Sequence, residues 1–125
     1  MKLRILDNSI RLRLSRSEVE QVASGQTVES QSALTPEPFR YRLTISMDQR
    51  ELAVTFRSGT LTVLLPSKAA RQWATTDQVS IECTCPASNG SEPILLLIEK
   101  DFKCLHGPAG ESQEDCFPNP KAERE

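Results

Sequence analysis

The sequence predicts an α+β fold: a pseudo-two-fold barrel, or a curled antiparallel sheet, of about eight strands with two short helices. Two features of the 125 residues lead to this prediction. Short segments alternate apolar with polar residues, which is typical of half-buried strands. In addition, residues 53–81 repeat the pattern of residues 2–30 at a spacing of 51 positions. Each copy reads as strand, tight turn, strand, short helix and strand, so we predict a duplicated strand-strand-helix-strand unit.

The two copies share a pattern of apolar and polar positions more than they share identical residues. Apolar positions that match at this spacing are Ile10 with Leu61, Leu12 with Val63, and Leu14 with Leu65. Trp73, the only tryptophan, falls on Val22, on the apolar side of a predicted helix. We therefore expect Trp73 to fill the core rather than to serve as a binding platform.

The first half of the repeat, about residues 2–46, opens with two strands. Residues 2–6 and 9–14 alternate apolar with charged residues. Asp7 and Asn8 between them tolerate the positive φ angles of a tight turn, so we predict an antiparallel hairpin.

A short helix and two more strands complete this half. Ser15 or Ser17 is expected to cap the helix, and Gly25 to end it. Residues 26–34 are weakly patterned and predict a poor strand, whereas residues 39–46 form the clearest strand of the chain.

The second half, about residues 51–100, repeats this order. Residues 51–57 and 60–65 predict a hairpin, with glycine in the Ser58-Gly59 turn supplying a positive φ. Pro66 suits the first position of the second helix.

Two further strands, 78–85 and 93–100, end the patterned part of the chain. The second carries five apolar residues in a row, which predicts a strand covered on both faces at the centre of the sheet. We expect residues 1–106 to form a single barrel-like domain. Residues 107–125 are expected to form an irregular acidic tail, either pinned by Phe102, Leu105 and Phe117 or loose.

Composition narrows the class of protein. Apolar residues make up 38% and charged residues 26%, as in a globular domain. A net charge of −2 argues against a dedicated nucleic-acid binder. Neither a secretory segment nor an apolar run long enough to cross a membrane is present, so the cytoplasm is the expected location. There, the four cysteines are expected to be thiols.

Cysteine and histidine residues offer one candidate metal site. Cys83 and Cys85 share a strand face, and Cys104, His106 and Cys116 follow later. Four such ligands could surround zinc, but no C-x-x-C pair is present. The alternative is that Cys83 fills the core and the rest are incidental thiols. No metal site and no cofactor are predicted.

Basic residues offer a second candidate site. Six of them point away from the apolar sides of three strands: Lys2, Arg4, Arg11, Arg13, Arg40 and Arg42. If these strands are neighbours, their side chains form a cationic surface able to hold phosphate or carboxylate groups. The alternative is an ordinary solvated face, partly neutralised by Glu29, Glu51 and the acidic tail.

No catalytic constellation is evident. The sequence contains no phosphate-binding glycine loop, no Ser-His-Asp order and no HExxH run. His106 lacks a second residue placed to orient it as a base. Asp101 or Glu99, which follow the most apolar strand, are the remaining acid–base candidates.

Several short runs resemble a family of small bacterial proteins known only as a domain of unknown function. These runs are NSIRLRL (8–14), SEV (17–19), EKDF (99–102), CL (104–105) and EDCFPNP (114–120). The resemblance implies a bacterial cytosolic protein and supplies no activity, substrate or cofactor. The duplicated order of elements also resembles the cradle-loop barrels, a superfamily of small barrels, and that likeness says little about activity.

Two functions follow as hypotheses. The first is a non-enzymatic binding module whose cationic face contacts a protein or a small anionic ligand, with Arg4, Arg11, Arg13, Arg40 and Arg42 as the binding residues. The second is an enzyme acting on a small phosphate or carboxylate substrate, with the arginines as its clamp.

Overall fold

The computed structural model of the chain describes residues 1–34, 36–48, 50–86, 92–102 and 117. Its elements in chain order are β1 (Lys2–Leu6), β2 (Ser9–Leu14), α1 (Arg16–Ala23), β3 (Val28–Ser32), β4 (Phe39–Ser46), β5 (Ala53–Arg57), β6 (Thr60–Pro66), α2 (Ser67–Thr75), β7 (Ser80–Cys85) and β8 (Ile94–Lys100). The predicted α+β class, with eight strands and two helices, is confirmed for these residues.

The two hairpin turns begin alike but differ at their second residue, because Gly59 has a positive φ and Asn8 does not. Asp7 and Ser58 begin the turns with φ of 49° and 50°, and Gly59 follows with φ of 74°. A positive φ costs an L-residue energy, and short polar residues and glycine tolerate it best. Each turn therefore joins its two strands without a longer loop.

The two helices begin differently. Ser15 caps α1 and forms a capping box with Glu18, so Ser15 rather than Ser17 is the cap. Pro66 ends β6 and precedes α2 directly, and α2 has no side-chain cap. Trp73 of α2 is fully buried, as predicted, and its indole Nε1 donates to the Val79 carbonyl at 3.0 Å.

The strands form two four-stranded sheets, in the orders β1-β2-β8-β7 and β3-β4-β6-β5. We call the first sheet A and the second sheet B. The prediction of a closed barrel was wrong, because no pairing among the described residues joins the two sheets. The prediction of a purely antiparallel sheet was also wrong, because β2 pairs in parallel with β8, and β4 with β6.

Each sheet combines strands from both halves of the chain. Sheet A takes the hairpin of the first half and the last two strands of the second, and sheet B does the reverse. The first residues of β1, β2 and α1 each lie 51 positions before those of β5, β6 and α2. The two halves thus have the same order of elements, while their origin by duplication stays a prediction.

A single buried cluster joins both sheets and both helices. Leu12 of sheet A and Val63 of sheet B are each 1% exposed and belong to this cluster, together with Val22 and Trp73. β8 is one of the two central strands of sheet A, as its apolar run predicts. Ile5 is 55% exposed although its pattern predicts burial, because β1 lies at the sheet edge and is covered from one side only.

The C-terminal region contacts the body through aromatic residues. Phe117 forms a bridge with Phe102, and the two rings lie 5.7 Å apart. Phe117 also packs against the core cluster. Phe117 thus lies against Phe102 and the core, while Leu105 and the rest of the predicted tail lie outside the described residues, and the choice between a pinned and a loose tail stays a prediction. The division at residue 106 stays a prediction.

Candidate functional site

The six cations predicted to share a surface are divided between the two sheets. Lys2 and Arg4 of β1 and Arg11 and Arg13 of β2 lie on sheet A, on the face directed away from the core. Arg40 and Arg42 of β4 lie on sheet B. Only β1 and β2 are neighbours, so the condition for one continuous cationic surface fails for β4.

We call Lys2, Arg4, Arg11 and Arg13 the basic face. The hairpin register places Lys2 directly opposite Arg13, and Arg4 directly opposite Arg11. Their side chains and Leu3 line a depression of about 180 Å³. A second depression of about 130 Å³ continues beside Arg4 and Arg11 toward Leu6 and Ser9. The four cations therefore surround a concave surface rather than projecting separately.

Two carboxylates from the end of β8 partly neutralise the basic face. Glu99 accepts from Arg13 Nε at 2.5 Å and lies 3.6 Å from Arg11 Nε. Asp101 pairs with Lys2 at 3.1 Å. Both carboxylates are largely buried, with side chains 17% and 14% exposed.

Among the residues that the structure describes, four cations against two carboxylates leave an excess of positive charge. Among the described residues no carboxylate forms an ion pair with Arg4, which is exposed. Glu82 of β7 lies in the same row of the sheet but is separated from Arg11 by β8, about 10 Å across two strand spacings. The centre of the excess is therefore Arg4.

The second hairpin shows that the fold does not need these charges. It has the same register: Ala53 lies opposite Leu64, and Thr55 opposite Thr62. These four positions correspond, at 51 residues' spacing, to Lys2, Arg13, Arg4 and Arg11. One hairpin thus carries four positive charges where its counterpart carries none.

The arginines of sheet B have partners on the adjacent strand β3. Arg42 pairs with Glu29 at 2.8 Å, and Arg40 Nε donates to Gln31 Oε1 at 3.3 Å. Both arginines are half-buried. Glu29 neutralises Arg42, although the buried Arg42 Nε has no hydrogen-bond partner within the described part of the chain. The charge of Arg42 is therefore more fully compensated than that of Arg4.

The described part of the cysteine cluster is apolar. Cys85 is buried, and its thiol donates to the Leu52 carbonyl at 3.2 Å. Burial, followed by the neighbouring Cys83, raises the pKa of the Cys85 thiol to about 11, which opposes the thiolate that zinc requires. No group of three metal ligands occurs among the described residues. Cys104, His106 and Cys116 lie outside them.

The acid–base candidates have other contacts. Glu99 and Asp101 are the counterions of the basic face described above, and each pairs with residues that line its depression. His106 is outside the described residues. The role of Glu99 could not be predicted from sequence patterns, because its pairing with Arg13 depends on the parallel contact of β8 with β2.

Lys100 is a buried cation that sequence reasoning missed. It lies on the inner side of β8, 7% exposed, and its Nζ donates to the Thr76 carbonyl at 2.8 Å. The ammonium also lies 5.3 Å from the ring centroid of Phe117. Burial lowers the pKa of Lys100, opposed by the nearby Asp77. The alternation of β8 places Lys100 on the same side as Ile98, which was a signal available in the sequence.

The fold and the basic face together define a small α+β protein with a candidate anion-binding surface. The chain belongs to a family of unknown function, DUF7009, which matches residues 1–121. No curated protein and no solved structure matches the chain. Neither helix described here has the length and apolar character needed to cross a membrane.

Proposed function

We propose that this protein is a non-catalytic binding module whose basic face takes an anionic partner. One observation supports the proposal above others. Four cations surround a single depression, whereas the hairpin of identical register in sheet B has uncharged residues at the same positions. The charges are therefore dispensable for building a hairpin of this kind and are available for another role.

The chemistry of the basic face suits carboxylate or phosphate groups. A guanidinium presents paired N–H donors that match two oxygens of such a group, and its charge is permanent. A bound anion near Arg4 would also relieve the repulsion between Arg4 and Arg11, which lie opposite each other. Binding at this place thus gains from a contact that the free protein lacks.

A titration with defined anions tests the proposal. Hexaglutamate peptide and inorganic phosphate are titrated into the full chain and into the double variant Arg4→Thr/Arg11→Thr, which copies Thr55 and Thr62. We expect at least one anion to bind, and the double variant to bind it about tenfold more weakly.

The matched control is Arg57→Thr, which removes an exposed arginine from the hairpin of sheet B. It should bind as the unchanged protein does. The proposal would be overturned if neither anion binds. It would also be overturned if the double variant and the unchanged protein bind with equal affinity.

A second candidate function is an enzyme acting on a small phosphate or carboxylate compound. Its support is the position of Glu99, which forms ion pairs with Arg11 and Arg13, two of the residues that line the depression. Turnover of phosphate esters or nucleotides, measured with and without divalent metal, tests it. Activity that Glu99→Gln abolishes would favour the enzyme, and silence with every compound would favour the binding module.

We also propose that the chain arose by duplication of one strand-strand-helix-strand unit. The equal spacing of the first three elements and the identical hairpin registers support this origin. An experimental structure in which residues 2–23 fail to superpose on residues 53–74 would contradict it. The bacterial, cytosolic setting that the family resemblance implies is likewise a proposal, which fractionation of a native source would test.

A further inference from the structure

We propose that the anionic partner is an extended acidic peptide, which adds to sheet A as a new strand along the free edge of β1. This inference rests on the proposed function and specifies its partner. Strand addition of this kind gains affinity from main-chain hydrogen bonds and specificity from alternate side chains.

The edge of β1 is open among the described residues. β1 is the terminal strand of sheet A and pairs with β2 alone. Lys2, Arg4, Ile5 and Leu6 are all exposed, with Ile5 at 55% and Leu6 at 62%. The strand contains no proline or bulge that would block a partner.

The hairpin turn indicates which backbone groups face outward. A two-residue turn closes on a pair that exchanges hydrogen bonds, here Leu6 with Ser9. Because such pairs alternate along an antiparallel ladder, Arg4 and Lys2 also bond to β2. The N–H and C=O groups of Leu3 and Ile5 therefore point toward the free edge, where a partner strand can bond to them.

The side chains of β1 specify the pattern of the partner. Opposite Lys2 and Arg4, on the basic face, a partner strand should carry carboxylates. Opposite Leu3 and Ile5, on the other face, it should carry apolar residues, which would cover the exposed part of Ile5. The fitting peptide therefore alternates acidic with β-branched apolar residues.

Charge disfavours a second copy of the chain at the same edge. Two β1 strands paired side by side would place Lys2 and Arg4 of one chain beside those of the other, and like charges opposite each other destabilise a sheet. The corresponding edge at β5 exposes Phe56 at 62% and has Ala53 and Thr55 where β1 has Lys2 and Arg4. The acidic partner is thus specific to β1.

The experiment uses four peptides with the full chain. The first is acetyl-Val-Glu-Val-Glu-Val-Glu-amide, and two analogues are N-methylated either at the valines or at the glutamates. The fourth peptide is hexaglutamate. Both analogues keep the charge of the parent, but their methyl groups block opposite edges of the extended peptide.

We expect the parent peptide to bind, and only one of the two analogues to lose about tenfold or more in affinity. The analogue that loses affinity also tells whether the added strand is antiparallel or parallel. Equal affinity of both analogues and the parent would overturn strand addition while leaving an anion-binding module in place. No binding by any peptide or by phosphate would overturn both proposals.

A change in the protein, instead of in the peptide, tests the same edge of β1. Ile5→Pro removes an N–H that faces outward, so the bonds between β1 and β2 are kept. We expect it to weaken the alternating peptide about tenfold, whereas Phe56→Pro at the matching place in β5 leaves the affinity unchanged. Circular dichroism checks that both variants fold, and the N-methylated analogues remain decisive if they do not. A concentration-dependent dimer that Ile5→Pro abolishes would assign the edge to a second copy and overturn the proposal.

Discussion

Arg4 lies across from Arg11, and Lys2 across from Arg13, so the first hairpin places like charges in direct opposition twice. Each such pair destabilises a sheet by about 0.2–1 kcal/mol. Glu99 pairs with Arg13 and with Arg11, one member of each like-charge pair, whereas no carboxylate among the described residues pairs with Arg4. The first hairpin thus carries a local electrostatic cost that the second hairpin lacks.

Removing the charge at Arg4 should stabilise the free protein. We expect Arg4→Thr to raise the free energy of unfolding by about 0.5 kcal/mol at low salt, because it ends the repulsion with Arg11. The gain should shrink in 1 M salt, where charges are screened within about 3 Å. Urea unfolding at both salt concentrations measures it.

Arg57→Thr is the control for this change. It makes the same replacement on an exposed strand position opposite Thr60, so it reports the strand preference of threonine without a like-charge pair. If Arg4→Thr lowers the free energy of unfolding more than Arg57→Thr does, the claim that Arg4 and Arg11 repel each other would be wrong.

The Cys85 thiol should resist alkylation in the folded protein. Its pKa of about 11, raised from 9.0 chiefly by burial, leaves about a hundredfold less thiolate near pH 8 than in the unfolded chain. Because the neutral form is favoured, the alkylation rate should keep rising with pH toward 11. Iodoacetamide labelling mapped by mass spectrometry, in native buffer and in urea, measures the ratio. Equal rates in the two conditions would contradict the assigned burial.

At the scale of elements, the sequence predicted hairpins and helices well, because their causes are local. Alternation of apolar residues indicates strands, and Asp7-Asn8 and Ser58-Gly59 indicate turns. Local patterns predicted burial less well at Ile5 and Phe56. Both have the pattern of core residues but lie on edge strands near hairpin turns, where no further described strand covers them.

The capping box of α1 should contribute measurably to stability. Ser15→Ala removes the side-chain acceptor for the Glu18 amide, and we expect a loss of about 1 kcal/mol in the free energy of unfolding. α2 lacks a side-chain cap, so Ser67→Ala at its first residue should change stability by only about 0.5 kcal/mol or less. Urea unfolding of both variants checks the difference, and equal losses would contradict the role of Ser15.

At the scale of the whole molecule, local patterns could not predict which strands pair across the halves. The parallel contacts of β2 with β8 and of β4 with β6 join segments far apart in the chain. Period-2 alternation is the same for a strand in either sheet, so a single curled sheet fitted the sequence equally well. For the same reason, the candidate site was predicted only in part. Alternation predicted that Arg4 and Arg11 point outward, but it could not predict that Arg40 belongs to the other sheet.

The shared core predicts one cooperative unfolding transition. Trp73 lies in the cluster that joins both sheets and both helices, and it is the only tryptophan. We expect its fluorescence and the far-ultraviolet circular dichroism to give the same midpoint in urea, as two-state unfolding requires. Separate midpoints would show that the two sheets unfold independently and would contradict a single domain.

The order of the strands has a consequence for the chain as it leaves the ribosome. Sheet B is made from one continuous segment, residues 28–66, so its four strands are available before β7 and β8 are synthesised. Sheet A can form only later, because Arg13 and its partner Glu99 are 86 positions apart. The hairpin of β1 and β2 precedes sheet B in the chain but gains its parallel neighbour only when β8 has emerged. The surface proposed to bind is therefore completed after sheet B.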